Sequence, residues 1–433
     1  MRMLLLGLGR ANLAVAEYLV NKGEEVFIYD ERVSNLSEPA QRMINEGRVK
    51  MHVAQRYDLA ITSPGFPPDR QICRVLTDQG TSIIDEIEYV FEELDQPSII
   101  AVTGTNGKST TAALISSILN NAEMSHFLGG NIAPGNPFSR ALFQKRYDHY
   151  VLEVSSFQLM RIENFRPHIA VLTNIGVDHL NWHKDVTEYR NAKLNIFVNQ
   201  GRDDFAVLNF DDEFVRHAAD KINSQPVFFG HHNPDGVSLN GQFRYDGVPL
   251  FAHESLPLPG EHNLMNMAAA IAVAKILKVD TPVIKRGMVG FKNLPHRMED
   301  LGLVNGIRYI NNSMCTNSAA AVASFLAIAG PKIVIFGGRH KGDEGKDYLD
   351  ILIEKAKACV ILGENAPFVS DYFRLHGYSK YSIASDMTDA VAKSRMFADR
   401  GDIIMLNPGF SSFDYFSDFE ERGEAFRNAT RQD

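Results

Sequence analysis

Cysteine is scarce, long apolar runs are missing, and positive charge is the minority sign. The 433 residues hold 3 cysteines, Cys73, Cys315 and Cys359, widely spaced and with no C-x-x-C pair. That excludes a disulfide framework and a zinc ribbon, and it fits a reducing, cytoplasmic setting. No stretch approaches the roughly 20 apolar residues of a membrane-spanning helix. The start, MRMLLLGLGR, has too brief an apolar part for a signal sequence and runs into a glycine turn, so it reads as a buried first strand. Lys and Arg number 44 against 53 Asp and Glu, a net charge of −9, and no basic block or stripe offsets it. A nucleic-acid partner is therefore excluded, and any anionic ligand must be met by local sites. Internal repeats and low-complexity tails are absent too.

What is present is the composition of an ordinary enzyme, 45% hydrophobic and 22% charged, long enough for about two to four domains with proper cores. Its most informative stretch is V-T-G-T-N-G-K-S-T-T at residues 102–111. An apolar strand ending at Thr103 runs into Gly104, Thr105, Asn106, Gly107, Lys108, Ser109 and Thr110, and a helix-prone TAALISSIL follows. The two glycines let successive backbone N–H groups point at one anion, and the helix turns its positive end to the same place. Lys108 adds a point charge for the outer phosphates, and Ser109 or Thr110 offers a hydroxyl to Mg²⁺. This is a phosphate cradle, with two residues between its glycines where the common pattern has four. A nucleoside triphosphate is the implied ligand.

Strands alternate with helical stretches along the chain, which predicts the α/β class with parallel sheets, in three domains at about 1–94, 95–292 and 293–433. The first block opens with a strand, a glycine turn and a helix, and its second strand ends in Asp30. A third strand, DLAITSPGF, turns at Ser63, Pro64 and Gly65. It resembles half of a dinucleotide-type fold, but Gly7 and Gly9 are followed by Asn12 where a third glycine belongs, which weakens a NAD reading. Asp30 suits a ribose or uracil edge, or caps its turn. A break at ELDQPS separates this block from the second. There, YVLEVSS and IAVLTNIGVDHLNWH are apolar runs ending in polar clusters, which gather Glu153, Ser155, Ser156, Asn174, Asp178 and His179 at the carboxyl ends of strands, where parallel sheets bind ligands. Glu153 and His179 are candidate Mg²⁺ ligands. Lys193 follows on a helical EYRNAKLNIF. The third block shows RYINNS, KIVIFGG, ACVILG and DIIMLNPG as strands, with turns at 337–341 and 408–413.

Together, TGTNGKST, EVSSFQL, TNIGVDHLNWH, EYRNAKLNIF, LPGEHNLMN, LPHRME, FGGRHKG and the closing PGFSSFDYFSDFEERGEAF resemble the Mur ligases, in order and over essentially the whole chain. Within that family the closing pattern and compact first block match the branch that adds D-glutamate to UDP-N-acetylmuramoyl-L-alanine. The resemblance implies three domains, Rossmann-like at both ends around a P-loop ATPase-type core. It also implies ATP-driven amide formation through an acyl phosphate, in peptidoglycan precursor synthesis, by a cytoplasmic monomer with ATP and Mg²⁺ as cofactors. Carried over by position, Gly104 to Thr110 hold the phosphates. Ser109 and Glu153 share one Mg²⁺, and His179 meets a second with Lys193, which matches a carbamylated lysine. Lys108, His179 and Lys193 are the implied catalytic groups. Asn263, Asn266, Arg297 and Asn312 belong to the nucleotide. Gly9, Arg10, Ala11, Asn12, Asp30, Glu31, Arg32, Ser63, Pro64 and Gly65 match the UDP-sugar site, and Asn131, Ser155 and Gln158 the muramoyl-alanine end. Thr316, Lys341, Ser412 and Phe419 match contacts to the incoming glutamate. The third domain is expected to close over the second, since water must be kept from an acyl phosphate.

One loop departs from the family. Where N-D-S-K-A-T-N is usual, this chain reads Asn311, Asn312, Ser313, Met314, Cys315, Thr316, Asn317. Asn312 keeps hydrogen-bonding capacity, but a thioether at 314 has no ammonium for the amino acid's carboxylate, a contact worth about 1.5–3 kcal/mol. Three readings follow. Arg339 or His340 replaces the charge; the amino acid added differs, for example L-glutamate; or the chain has become a non-catalytic member. A nucleotide-dependent dehydrogenase is the reading from another class, and it leaves the phosphate loop without a role.

Overall fold

The computed structural model describes residues 1–31, 36–133, 135–179, 182–253, 256, 258, 260–291, 294–340 and 344–431; Arg32 and Lys341 lie outside the described residues. The chain divides into two compact units, Met1–Leu256 with Met265–Phe291, and Pro257–Leu264 with Lys292–Asp433. It is mixed α/β, and its strands form three sheets.

The first unit carries two of them. Strands β1 (Arg2–Leu6), β2 (Glu25–Tyr29), β3 (Lys50–Met51), β4 (Leu59–Thr62) and β5 (Ser82–Asp85) lie in the order β3-β2-β1-β4-β5, all parallel. Both faces of β1 are covered by helices, so Met3–Leu6 is an unbroken buried apolar run. The chain steps outward from β1 in both directions, and the crevice at the carboxyl ends of β1 and β4 is the place where such a sheet binds ligands.

The second sheet contains β6 (Ile99–Thr103), β7 (His126–Gly130), β8 (His149–Glu153), β9 (Ile169–Leu172), β10 (Phe205–Asn209), β11 (Gln225–Gly230), β12 (Val237–Leu239), β13 (Gln242–Tyr245) and β14 (Val248–Ala252). Their order is β14-β13-β12-β11-β10-β9-β6-β8-β7. β6 has β8 on one side and β9 on the other, both parallel, so the glycine loop that follows it opens at a switch point. The far edge, β12 to β14, is two antiparallel hairpins. The turn between β13 and β14 is Asp246-Gly247 with both residues left-handed, a two-residue primed turn.

The second unit holds β15 (Glu299–Val304), β16 (Ile307–Asn311), β17 (Lys332–Phe336), β18 (Ala358–Ile361), β19 (Tyr381–Ile383) and β20 (Ile403–Leu406), in the order β15-β16-β20-β17-β18-β19. Only β15 is antiparallel to its neighbour. The departing loop follows β16, Arg339 follows β17 and Ser412 follows β20. All three therefore emerge at the carboxyl ends of adjacent strands.

Candidate active site

The glycine loop is built by its own sequence. Gly104 has φ +147° and Gly107 φ +85°, conformations that a side chain would strain. Neither position has room either: a Cβ on Gly104 would lie 1.9 Å from Thr173 Oγ1, and one on Gly107 2.2 Å from Asn266 Oδ1. The helix Lys108–Asn121 starts directly at Gly107. Asn174 braces the loop. Its Oδ1 accepts from the Asn106 N–H at 2.9 Å, its Nδ2 donates to the Asn106 carbonyl at 3.0 Å, and its own carbonyl accepts from Thr105 N–H at 2.9 Å. Asn266 also accepts from Thr111 Oγ1, so this residue of the helix Glu261–Ile276 sits against the loop. Asn263 is buried on the same helix.

Ser109 and Glu153 are both buried, and the serine hydroxyl donates to the carboxylate in a very short contact. Asn131 Nδ2 approaches the other oxygen of Glu153 at 3.5 Å. A hydroxyl and a carboxylate facing one another beside a phosphate loop are hard oxygen donors of the kind Mg²⁺ takes. No group of three or more His, Cys, Asp or Glu side chains among the described residues forms a ready cage. Any cation here would complete its shell with water and phosphate oxygens. His179 has φ +56°, a left-handed conformation held by the Asp178 carboxylate, which accepts its N–H at 2.8 Å.

Lys193 lies in the last turn of the helix Val186–Leu194 and is 2% exposed. Its Nζ donates to the Gly104 carbonyl at 2.8 Å and lies 4.8 Å from the Tyr189 ring centre. Burial, and then the charge of Lys108, hold its amine well below the ordinary lysine range. Lys108 itself reaches back to the Thr105 carbonyl at 2.9 Å. Thr105 Oγ1 lies 2.9 Å from Tyr189 Oη and accepts from Gly176 N–H at 2.8 Å, which locks the helix bearing Lys193 to the loop.

A cavity of about 600 Å³ lies within the same unit, lined by Gly7, Gly9, Arg10, Ala11, Asp30, Glu31, Ser63, Pro64, Gly65, Phe66, Pro67, Arg70, Gly130, Asn131 and Pro137. Asn12 is not on that wall. It is fully buried, and its Nδ2 donates to the carbonyls of Leu6, Gly7 and Ile61 at 3.2, 2.8 and 3.1 Å. The polar residue at the third-glycine position thus ties the glycine turn to β4. Ser155 and Gln158 are buried as well and form a capping box that starts the short helix Ser156–Leu159. The box uses the Ser155 hydroxyl and the amide oxygen of Gln158.

An aromatic hub escaped sequence reasoning. His183, buried, meets Ser156 Oγ at 2.8 Å through Nε2 and stacks on Phe157, while Trp182 donates from Nε1 to the Gly65 carbonyl at 3.3 Å. The end of the DHLNWH motif therefore joins the cavity turn to the phosphate-loop region. The motif itself carries the signal, but the sequence pattern singles out only its first histidine.

In the second unit, Ser313 is the knot. Its hydroxyl donates to the Phe419 carbonyl at 2.8 Å, while Arg422 donates to its Oγ and carbonyl at 3.0 and 2.8 Å and to the Phe410 carbonyl at 3.2 Å. Burial lowers the Arg422 guanidinium to about 10. Arg422, another residue unread in the sequence, thus holds the departing loop, Phe419 and the turn bearing the buried Ser412 together. Thr316 is half-buried on that loop. Asn312 is buried, donates to Asn407 Oδ1 at 2.8 Å and accepts from Met298 N–H at 3.0 Å, so both its amide atoms are engaged internally. Arg297 places Nη2 2.7 Å from Met314 Sδ. Arg339 makes a two-pronged, half-exposed pair with Glu364 at 3.0 and 3.1 Å, and His340 stands edge-on to Phe368 and Phe410.

Comparison with known proteins follows the same division. Residues 1–85 match the N-terminal domain of MurD-like Mur ligases, and residues 102–274 the Mur ligase middle domain. A UDP-N-acetylmuramoylalanine–D-glutamate ligase of Pelotomaculum thermopropionicum is 35% identical over 98% of this chain and 96% of its own. Another, from Clostridioides difficile, is 33% identical over 99% and 97%. Among solved structures, a UDP-N-acetylmuramate-alanine ligase from Thermotoga maritima shares the fold with a TM-score of 0.67 at 20% identity, covering 100% of this chain and 99% of that one. Given full-length relatives at this identity, and the phosphate loop, cavity and strand order described above, the chain belongs to the Mur ligase family.

Proposed function

We propose that this chain adds D-glutamate to UDP-N-acetylmuramoyl-L-alanine with cleavage of ATP, through an acyl phosphate, in peptidoglycan precursor synthesis. The observation that carries the reading is the phosphate loop 104–110, flanked by the Ser109–Glu153 pair and the buried Lys193, in the same unit as the cavity of about 600 Å³. The names of the full-length relatives support the substrate pair.

In this reading Gly104 to Thr110 grip the triphosphate, Asn263 and Asn266 hold the adenosine part, and Arg297 belongs to the nucleotide, with Asn312, whose amide is tied to Asn407 and Met298, shaping the loop beside it. The cavity takes the UDP-sugar along Gly9, Arg10, Ala11, Asp30, Glu31 and Ser63 to Gly65. Asn12 holds its turn from behind. Asn131, Ser155 and Gln158 meet the muramoyl-alanine end, and Thr316, Ser412, Phe419 and Lys341 receive the glutamate. An alanine carboxylate oxygen attacks the γ-phosphorus and ADP departs. The glutamate amine then attacks the acyl carbon and inorganic phosphate leaves. Both steps concentrate negative charge, so the fixed donors of the loop and Lys108 stabilise the transition states most. Mg²⁺, when bound by Ser109 and Glu153 and at a second place by His179 and Lys193, neutralises phosphate charge. For Lys193 to join as a carbamate its amine must be neutral, and burial favours that form. We read residues 1–94, 95–292 and 293–433 as three domains of a cytoplasmic monomer, the third closing over the second. All three cysteines are free and buried, and no helix of the described residues is long and apolar enough to cross a membrane.

Phosphate release with Mg-ATP and UDP-N-acetylmuramoyl-L-alanine, compared across D-glutamate, L-glutamate, D-aspartate and no amino acid, with products identified by mass, tests this. Turnover with D-glutamate alone is expected. Turnover with another amino acid would place the Met314 loop as a changed specificity, and silence throughout would overturn the enzymatic reading.

A further inference from the structure

Glu86 begins the helix Glu86–Glu93 and is 1% exposed. Its Oε1 accepts one hydrogen bond, from the Ser139 N–H at 2.6 Å; its Oε2 is buried with no partner. The two carboxylates beside it are better satisfied. Asp85 caps the helix through Ile87 N–H and accepts from Thr62 Oγ1, and Glu88 accepts from the N–H groups of Glu163, Asn164 and Phe165 at 2.9, 2.7 and 2.9 Å. Burying a carboxyl with half its acceptors unused is costly. Such a residue persists where the single bond it makes matters.

That bond holds a wall of the cavity. Ser139 lies in the 3₁₀ turn Phe138–Phe143, and its hydroxyl donates to the Ala11 carbonyl at 3.0 Å. Arg140 pairs with Glu17 at 2.6 Å. The turn is thus fixed to the helix Arg10–Asn21 at two points and to Glu86 at a third. Pro137, immediately before it, lines the cavity with Gly130 and Asn131; Arg10 and Ala11 line it from the helix to which the turn is tied.

We propose that Glu86 is a positioning residue for the cavity: through Ser139 it sets the wall of Gly130, Asn131 and Pro137 against the wall of Arg10 and Ala11, and so sets the affinity for the uridine-diphosphate end of the substrate. The inference rests on the cavity being the UDP-sugar site. The hydrogen bonds of Glu86 and Ser139 go to one another and to Ala11, and none goes to the phosphate loop, which gives the proposal a distinctive signature.

Calorimetric titration of UDP-N-acetylmuramoyl-L-alanine into the full-length protein, alongside KM for ATP, tests it on Glu86→Ala, Glu86→Gln and Glu86→Asp. Glu86→Ala is expected to weaken substrate binding about tenfold or more while KM for ATP stays within about twofold. Glu86→Gln keeps an oxygen for the Ser139 N–H and is expected to recover binding to within about threefold of the parent. Wild-type affinity in Glu86→Ala, or equal losses for both ligands, would overturn the proposal. If Glu86→Ala does not fold, Glu86→Asp decides instead, since it keeps a carboxyl but draws it back from the Ser139 N–H; unchanged affinity there is the contrary result. A parent protein that binds no UDP-sugar at all would instead defeat the reading of the cavity.

Discussion

Lys193 Nζ lies 2.8 Å from the carbonyl oxygen of Gly104, so the buried amine is held by the glycine loop itself. An amine so deeply buried does not stabilise the fold: desolvation opposes its charge, and one hydrogen bond returns only about 1 kcal/mol. Lys193→Met, similar in length and apolar, is therefore expected to leave Tm equal to or above the parent's while turnover falls by about a thousandfold or more. Calorimetric melting beside phosphate release checks both halves. A large drop in Tm would mean that Lys193 holds the fold together.

Gly107 faces two obstacles to any side chain, a φ of +85° and Asn266 Oδ1 at 2.2 Å from where a Cβ would stand. Left-handed backbone costs about 1–2 kcal/mol in an alanine, and the amide of Asn266 must also move. Gly107→Ala is expected to raise KM for ATP about tenfold or more, with affinity for the UDP-sugar unchanged because the cavity residues are elsewhere. Gly9 makes the contrast. Its φ is −73° and nothing stands within 4 Å of its would-be Cβ, so Gly9→Ala should fold without strain. Equal ATP affinity in Gly107→Ala and the parent would count against the loop's assignment.

How much is legible in the sequence follows the range of the interactions. The phosphate loop, the strand ends carrying Glu153 and Ser63, and the three-sheet α/β plan depend on short apolar runs and glycine turns, which are local signals. Ser155 and Gln158 show the other side: S-x-x-Q is a capping-box pattern, readable as such, yet the family resemblance assigns both residues to the substrate. The hairpins at β12 to β14 are equally open to view in Asn240-Gly241 and Asp246-Gly247. Asn12, Glu86 and Arg422 are different. Asn12 pairs with Ile61, Glu86 with Ser139, and Arg422 with Ser313, separations of 49, 53 and 109 residues that no window on the chain spans.

The missing ammonium at position 314 has a cation beside its replacement. Arg297 Nη2 is 2.7 Å from Met314 Sδ, and the Arg339 guanidinium is held by Glu364 in a half-exposed pair that solvent screens. Restoring the usual lysine by Met314→Lys sets an ammonium against the Arg297 guanidinium. The expected result is no gain in KM for D-glutamate and a rise of about threefold or more in KM for ATP, as Arg297 is pushed from its place. Steady-state kinetics in both substrates decide the matter. An improved KM for D-glutamate with ATP unaffected would show that nothing had compensated for the thioether.

Asp85 and Glu86 give the protein a pH signature. Burial first, and for Asp85 the neighbouring Glu86 charge next, push both carboxyls up to about 7, against the weaker opposing pull of Ile87 N–H and Arg161 on Asp85 and of Ser139 on Glu86. The folded state then holds protons that the unfolded chain releases above about pH 4. With more protons on the folded form, stability falls as pH rises from that point through 7, the reverse of a salt-bridged carboxylate. Glu86→Gln carries no titrating group at 86. The difference in unfolding free energy between the parent and this variant is therefore expected to shift against the parent by about 2–3 kcal/mol between pH 5 and 8. Urea denaturation of both proteins across that range measures it. A difference that stays flat, or that moves in the parent's favour, would show that Glu86 is already ionised and satisfied at acid pH.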